Sequence, residues 1–156
     1  MKLHFLLFIF FSYSTSSWGE EYDYEGEVIE TVFEGKLKAN QYDGNSCFFE
    51  RIWSAGGQET YSGSFRSGLY HGFGTLDSYG ESIQTHYTGS FLNGLFDGEG
   101  SYHEEDGIGL THQEGVFQEG NIIKGTEEFT EFSEEENKIT YSSPILVHLA
   151  ALMDMQ

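Results

Sequence analysis

Two stretches of the chain, YSGSFRSGLYHGFGTL from Tyr61 and YTGSFLNGLFDGEGSY from Tyr87, superimpose at a spacing of 26 residues. No other feature restricts the fold as much, because a fixed period of this length marks a chain built from one repeated supersecondary unit. Tyr61, Gly63, Phe65, Gly68, Gly72 and Gly74 in the first stretch recur as Tyr87, Gly89, Phe91, Gly94, Gly98 and Gly100 in the second. A third copy, QEGVFQEGNIIKG from Gln113, keeps Gly115, Phe117 and Gly120 and then slips by one residue to Gly125. Upstream, FEGKLKANQYDGNS from Phe33 keeps Gly35, puts Leu37 at the aromatic position, and matches Asp43 and Gly44 to Asp97 and Gly98. The repeats therefore fall near residues 33–57, 61–86, 87–112 and 113–129.

Side chains alternate across a strand, so the first, third and fifth positions of each copy share one face. Tyr61 and Phe65 point together with Gly63 between them, and the bare glycine leaves room for aromatic rings to lie across the backbone. Ser67-Gly68 and Asn93-Gly94 then supply residues that tolerate positive φ, and Asn-Gly is a strong signal for a two-residue hairpin turn. Each copy is thus predicted to be one antiparallel hairpin. A lone hairpin is marginal in water, so the copies are expected to stack into one elongated, twisted, all-β sheet with both ends capped.

The pattern resembles the MORN repeat, whose consensus runs Tyr-x-Gly-x-Trp-x-x-Gly-x-x-His-Gly-x-Gly. His71 occupies the histidine position in one repeat and Asp97 in the next, Phe replaces the usual Trp, and the spacing of 26 exceeds the family's more common period of about 23. The longer period predicts longer connections between hairpins. The resemblance implies a scaffold or interaction role, since similar repeats often serve as scaffolds or oligomerise and some were proposed to bind acidic phospholipids.

Composition supports one folded domain, with 14 Phe and 10 Tyr against a single Pro. Seven basic residues face 26 acidic ones, a net charge of −19, which excludes the electrostatics of duplex nucleic-acid binding and disfavours anionic membranes. From Tyr61 to His112 there is one basic residue, Arg66, against seven acidic ones. Cys47 is the only cysteine, so neither an intramolecular disulfide nor a cysteine zinc site is available.

At the start, Met1 and Lys2 precede Leu3 to Phe11, apolar apart from His4, followed by a small and polar run to Gly19 and an acidic Glu20. That order reads as a signal peptide over residues 1–19, and the apolar run is well short of the roughly 20 residues of a membrane-spanning helix. The expected location is secreted or periplasmic after cleavage, and cytoplasmic if the segment is not a signal. The repeat domain then spans 20–142. Ser143-Pro144 looks like an N-cap followed by a helix-starting proline, so a short capping helix is predicted over 144–153 within a C-terminal segment of 143–156. Phe129 and Phe132 alternate within the glutamate-rich run 127–136 and predict a strand followed by a turn.

Chemistry is sparse. No glycine pattern of a nucleophile elbow surrounds any serine, and the glycines sit in a strand repeat instead of a phosphate loop, so no enzyme activity is expected. His86 and His112 occupy equivalent positions one repeat apart, with His103, Glu104, Glu105 and Asp106 between them. Repetition alone accounts for that alignment, and neither a metal nor a cofactor is expected; His71 is expected to be a hydrogen-bonded structural residue. The functional expectation is a non-enzymatic structural or interaction module with another protein as partner. The alternative is a secreted or periplasmic ligand or cation binder using Tyr70, Tyr79 and Tyr102 beside carboxylates on an exposed face.

Overall fold

The computed structural model describes residues 26–132 and 139–146. They form nine strands: β1 (Val28–Lys38), β2 (Gln41–Trp53), β3 (Gln58–Arg66), β4 (Leu69–Tyr79), β5 (Gln84–Leu92), β6 (Leu95–Glu105), β7 (Gly109–Gln118), β8 (Asn121–Glu131) and β9 (Ile139–Leu146). The strands lie in chain order in one open antiparallel sheet with β1 and β9 at its edges. Every neighbouring pair is also adjacent in sequence, which is the topology that stacked hairpins require.

Four hairpins carry the four copies, and their turns follow the sequence. Ser67-Gly68, Asn93-Gly94 and Glu119-Gly120 all have positive φ at both positions, near 50° and then near 85°. This is the turn whose twist matches that of the flanking strands. Each turn also ties its hairpin to the one before it: the Gly68, Gly94 and Gly120 amides donate to the carbonyls of Tyr42, Tyr70 and Phe96 at 2.8, 2.9 and 2.9 Å.

The core lies on one face of the sheet and is a chain of rings. Tyr61 and Tyr87 are 0% and 1% exposed. Tyr61 stacks on Tyr70 at 3.9 Å and receives the edges of Phe65 and Phe91, each at 5.2 Å. Tyr87 repeats this with Phe96 at 3.5 Å, Phe91 at 5.1 Å and Phe117 at 5.3 Å. In the first copy Phe33 stacks on Tyr42 at 4.1 Å and meets Phe65 edge-on at 5.4 Å. In the first three copies the first-position ring thus packs on the tenth-position ring of its own hairpin and on the fifth-position ring of the next. Such pairs are worth about 0.5–1.5 kcal/mol each beyond burial. The buried Tyr61 and Tyr87 hydroxyls donate to the carbonyls of Ser64 and Ser90, both at 3.0 Å, which satisfies the one polar atom on each ring.

Beneath the rings the glycines line up as cross-strand partners, Gly63 with Gly74, Gly74 with Gly89, Gly89 with Gly100, Gly100 with Gly115 and Gly115 with Gly125. A Cβ at Gly74 or Gly100 would run into the ring of Tyr61 or Tyr87. Both tyrosines therefore lie flat across two strands.

Three expectations need correction. The predicted helix start is a strand: Ser143 and Pro144 lie in β9, opposite Glu127 and Thr126. An edge strand has one unpaired side, which is where a proline lacking an N–H is tolerated. The 26-residue period does not come from long connections either, since residues 80–83 and 106–108 are all that separate β4 from β5 and β6 from β7. The additional length falls after the matched stretch, between Gly74 and Tyr87, where β4 runs on to Tyr79 and β5 starts at Gln84; the bulges of β4 and β6 lie inside the matched stretch. Finally, Tyr70 and Tyr102 are not an exposed contact set. Tyr70 packs in the core, Tyr102 packs half-buried on Phe96 at 5.9 Å, and only Tyr79 of the three is exposed. Residues 1–19, 133–138 and 147–153, which bear on the signal, the glutamate-rich turn and the rest of the helix, lie outside the described residues.

Candidate functional site

The aromatic core uses one set of alternating positions, so the other set forms a second face with no layer packed on it among the described residues. Because the strands are in register, side chains of that face fall into rows running from strand to strand. One row reads Asp77, His86, His103, His112 and Glu128, each residue the direct partner of the next from β4 to β8.

Geometry within the row is close. His86 Nδ1 lies 2.6 Å from Asp77 Oδ1, and its Nε2 is 3.2 Å from the Thr88 hydroxyl. His112 Nδ1 is 3.1 Å from His103 Nδ1 and 3.0 Å from His103 Nε2, with ring centroids 4.1 Å apart. The His86 and His103 centroids are 6.1 Å apart. Partial burial, with His112 and His86 on either side, lowers the pKa of His103, which favours its neutral form. A shallow depression of about 190 Å³ adjoins the row, lined by residues that include Asp77, His86, His103 and Glu105.

Towards the hairpin turns the same face becomes apolar. Leu69, Phe73 and Leu92 are exposed there, Phe73 to 68%. Below the histidines runs a hydroxyl row in which Thr75 and Thr88 meet at 3.1 Å. The face thus has an apolar end, a hydroxyl middle and a histidine and carboxylate end.

The repeat residues sit elsewhere and serve the fold. Tyr61, Phe65, Tyr87, Phe91 and Phe117 are core, and Gly63, Gly74, Gly89, Gly100 and Gly115 form the rail beneath it. Gly68, Gly94 and Gly120 turn the hairpins, while Gly72 and Gly98 have φ of 66° and 108° in the bulges of β4 and β6. The two residues at the family's histidine position differ in role. Asp97 accepts a long 3.5 Å bond from the Glu119 amide and so touches the next turn. His71 has a buried Nδ1 with no hydrogen-bond partner among the described residues.

At the far end of the core face, Tyr70 donates to Glu59 at 2.8 Å, and Arg51, the strand partner of Glu59, lies over the rings of Phe49 and Trp53. Burial raises the Glu59 pKa, against the opposing pull of Arg51 and the Tyr70 bond. Among the described residues no group of three or more His, Cys, Asp or Glu side chains is arranged to hold a metal ion.

Sequence reasoning missed two features. The tenth position of the first three copies, Tyr42, Tyr70 and Phe96, is aromatic and stacks on the first, a recurrence visible in the aligned copies. His103 sits between His86 and His112 because β6 runs back between β5 and β7; counting outward from Asn93-Gly94 puts Ser101 opposite His86, and the two-residue bulge of β6 moves His103 there.

An open sheet of stacked hairpins with a ring core on one face and polar rows on the other defines a β-repeat protein. The MORN repeat family matches the chain twice, over residues 61–79 and 87–107, and the chain is a MORN repeat-containing protein. No curated protein matches it.

Proposed function

We propose that the chain is a non-enzymatic interaction module whose open face docks a protein partner. The observation that carries this reading is the exposed Phe73, flanked by Leu69 and Leu92, at one end of the open face. Water-exposed aromatics at the centre of a patch are the usual anchors of protein interfaces. With a net charge of −19 on the chain, the favoured partner surface carries basic side chains around an apolar centre. The repeat family supports an interaction role in general terms.

The test uses the full chain and its Phe73→Ser variant as baits against extract of the native host. The reading stands if a protein is captured directly by the parent, confirmed with the purified partner, and bound at least tenfold more weakly by the variant. Equal capture by both chains, or binding to anionic vesicles alone, overturns it.

A further inference from the structure

We propose that His103 and His112, cross-strand partners on β6 and β7, form a two-imidazole site for a borderline divalent cation such as Zn²⁺, with water completing the coordination.

Two zinc–nitrogen bonds of about 2.0–2.1 Å opening at tetrahedral or somewhat smaller angles place their nitrogens about 3.0–3.4 Å apart. The nitrogens of this pair already stand 3.0 and 3.1 Å apart. Their contact is a poor hydrogen bond, because His112 Nδ1 is equally near both nitrogens of His103 and so follows neither lone pair. Binding requires a turn of the rings about χ2, which gives up the 3.3 Å contact of His103 Nε2 with Ser101 Oγ, while the strand ladder holds the two backbones in place.

The surroundings favour a cation. Asp77 holds His86 on one side of the pair, and Glu128 is the strand partner of His112 on the other. Imidazole ligands select zinc, copper or nickel over the hard cations that carboxylates prefer. With two protein ligands the site is a labile one, since among the described residues no third His, Cys, Asp or Glu completes a cluster. The site lies on the face proposed for docking but does not depend on that role.

Calorimetric titration of ZnCl₂ into the full chain at pH 7.5 tests the proposal, with His103→Asn, His112→Asn and His71→Asn as variants. One saturable site is expected, weakened at least tenfold by either of the first two and unchanged by the third. In the unmodified chain, zinc should shift the imidazole ¹⁵N resonances of His103 and His112 while leaving His71 in place; this reading does not depend on any variant folding. Absence of zinc heat, full affinity in both variants, unmoved resonances, or displacement by equimolar Ca²⁺ would each overturn the site.

Discussion

Gly100→Ala tests whether the glycine rail exists to seat the tyrosines. The three atoms nearest the new methyl all belong to Tyr87, with Cε2 and Cζ at 2.6 Å, far inside van der Waals contact. The strand cannot retreat without breaking the ladder to β5 and β7, so the ring must move. That ring is 1% exposed, stacks on Phe96 and meets Phe91 and Phe117 edge-on. Overpacking costs about 1–3 kcal/mol, and weakening these ring contacts adds about 1 kcal/mol more. Alanine recovers about 0.5–1 kcal/mol in backbone entropy, leaving a net loss of about 1–3.5 kcal/mol. Urea denaturation should show a lower midpoint at unchanged slope, and melting should fall by roughly 5–10 °C. Gly107→Ala, with nothing within 4 Å, serves as the control and should stay within about 0.5 kcal/mol of the parent. Combining Gly100→Ala with Tyr87→Ala should cost clearly less than the sum of the two, because the clash disappears with the ring. Additive costs, or a Gly100→Ala chain as stable as the Gly107→Ala control, would refute the seating argument.

Glu119→Asn should raise stability by about 0.5–1 kcal/mol in the same assay, since Glu119 holds φ of 50° where the sister turn has Asn93. Alkaline pH should unfold the protein: burial pushes Tyr61 up to about 12 and raises Tyr42, Tyr70 and Tyr87 as well. The folded chain keeps protons that the unfolded chain releases above about 10, so stability is full below pH 10 and falls as pH climbs towards 12. Phenolate absorbance should therefore show a late group of tyrosines titrating together with loss of the β-sheet circular dichroism signal. Cys47, buried at 3% exposure, should react with a thiol reagent only at the rate of unfolding; rapid labelling of the native chain would contradict its place in the core.

Local chemistry made much of the fold legible. Asn93-Gly94 and Ser67-Gly68 specify turns on their own, and strand alternation is enough to put Tyr61 with Phe65 and Tyr87 with Phe91. Pro144 was misread because a proline after a serine suits both a helix start and an edge strand. Only the open side of β9 distinguishes them. Tyr70 keeps the alternation of Leu76 through the two-residue bulge at Gly72 and lies opposite Phe65 across the Ser67-Gly68 turn, so its place in the core is a matter of cross-strand pairing and not of residue type.

By itself the sequence determined the unit, one hairpin per copy, because turn geometry and side-chain alternation depend on neighbours along the chain. Tertiary structure decided which side chains meet across strands. The stacking of Tyr61 on Tyr70, the glycine rail under both tyrosines, and the placing of His103 between His86 and His112 all depend on register between strands. That register is fixed jointly by turn, bulge and ring packing, none of which acts alone.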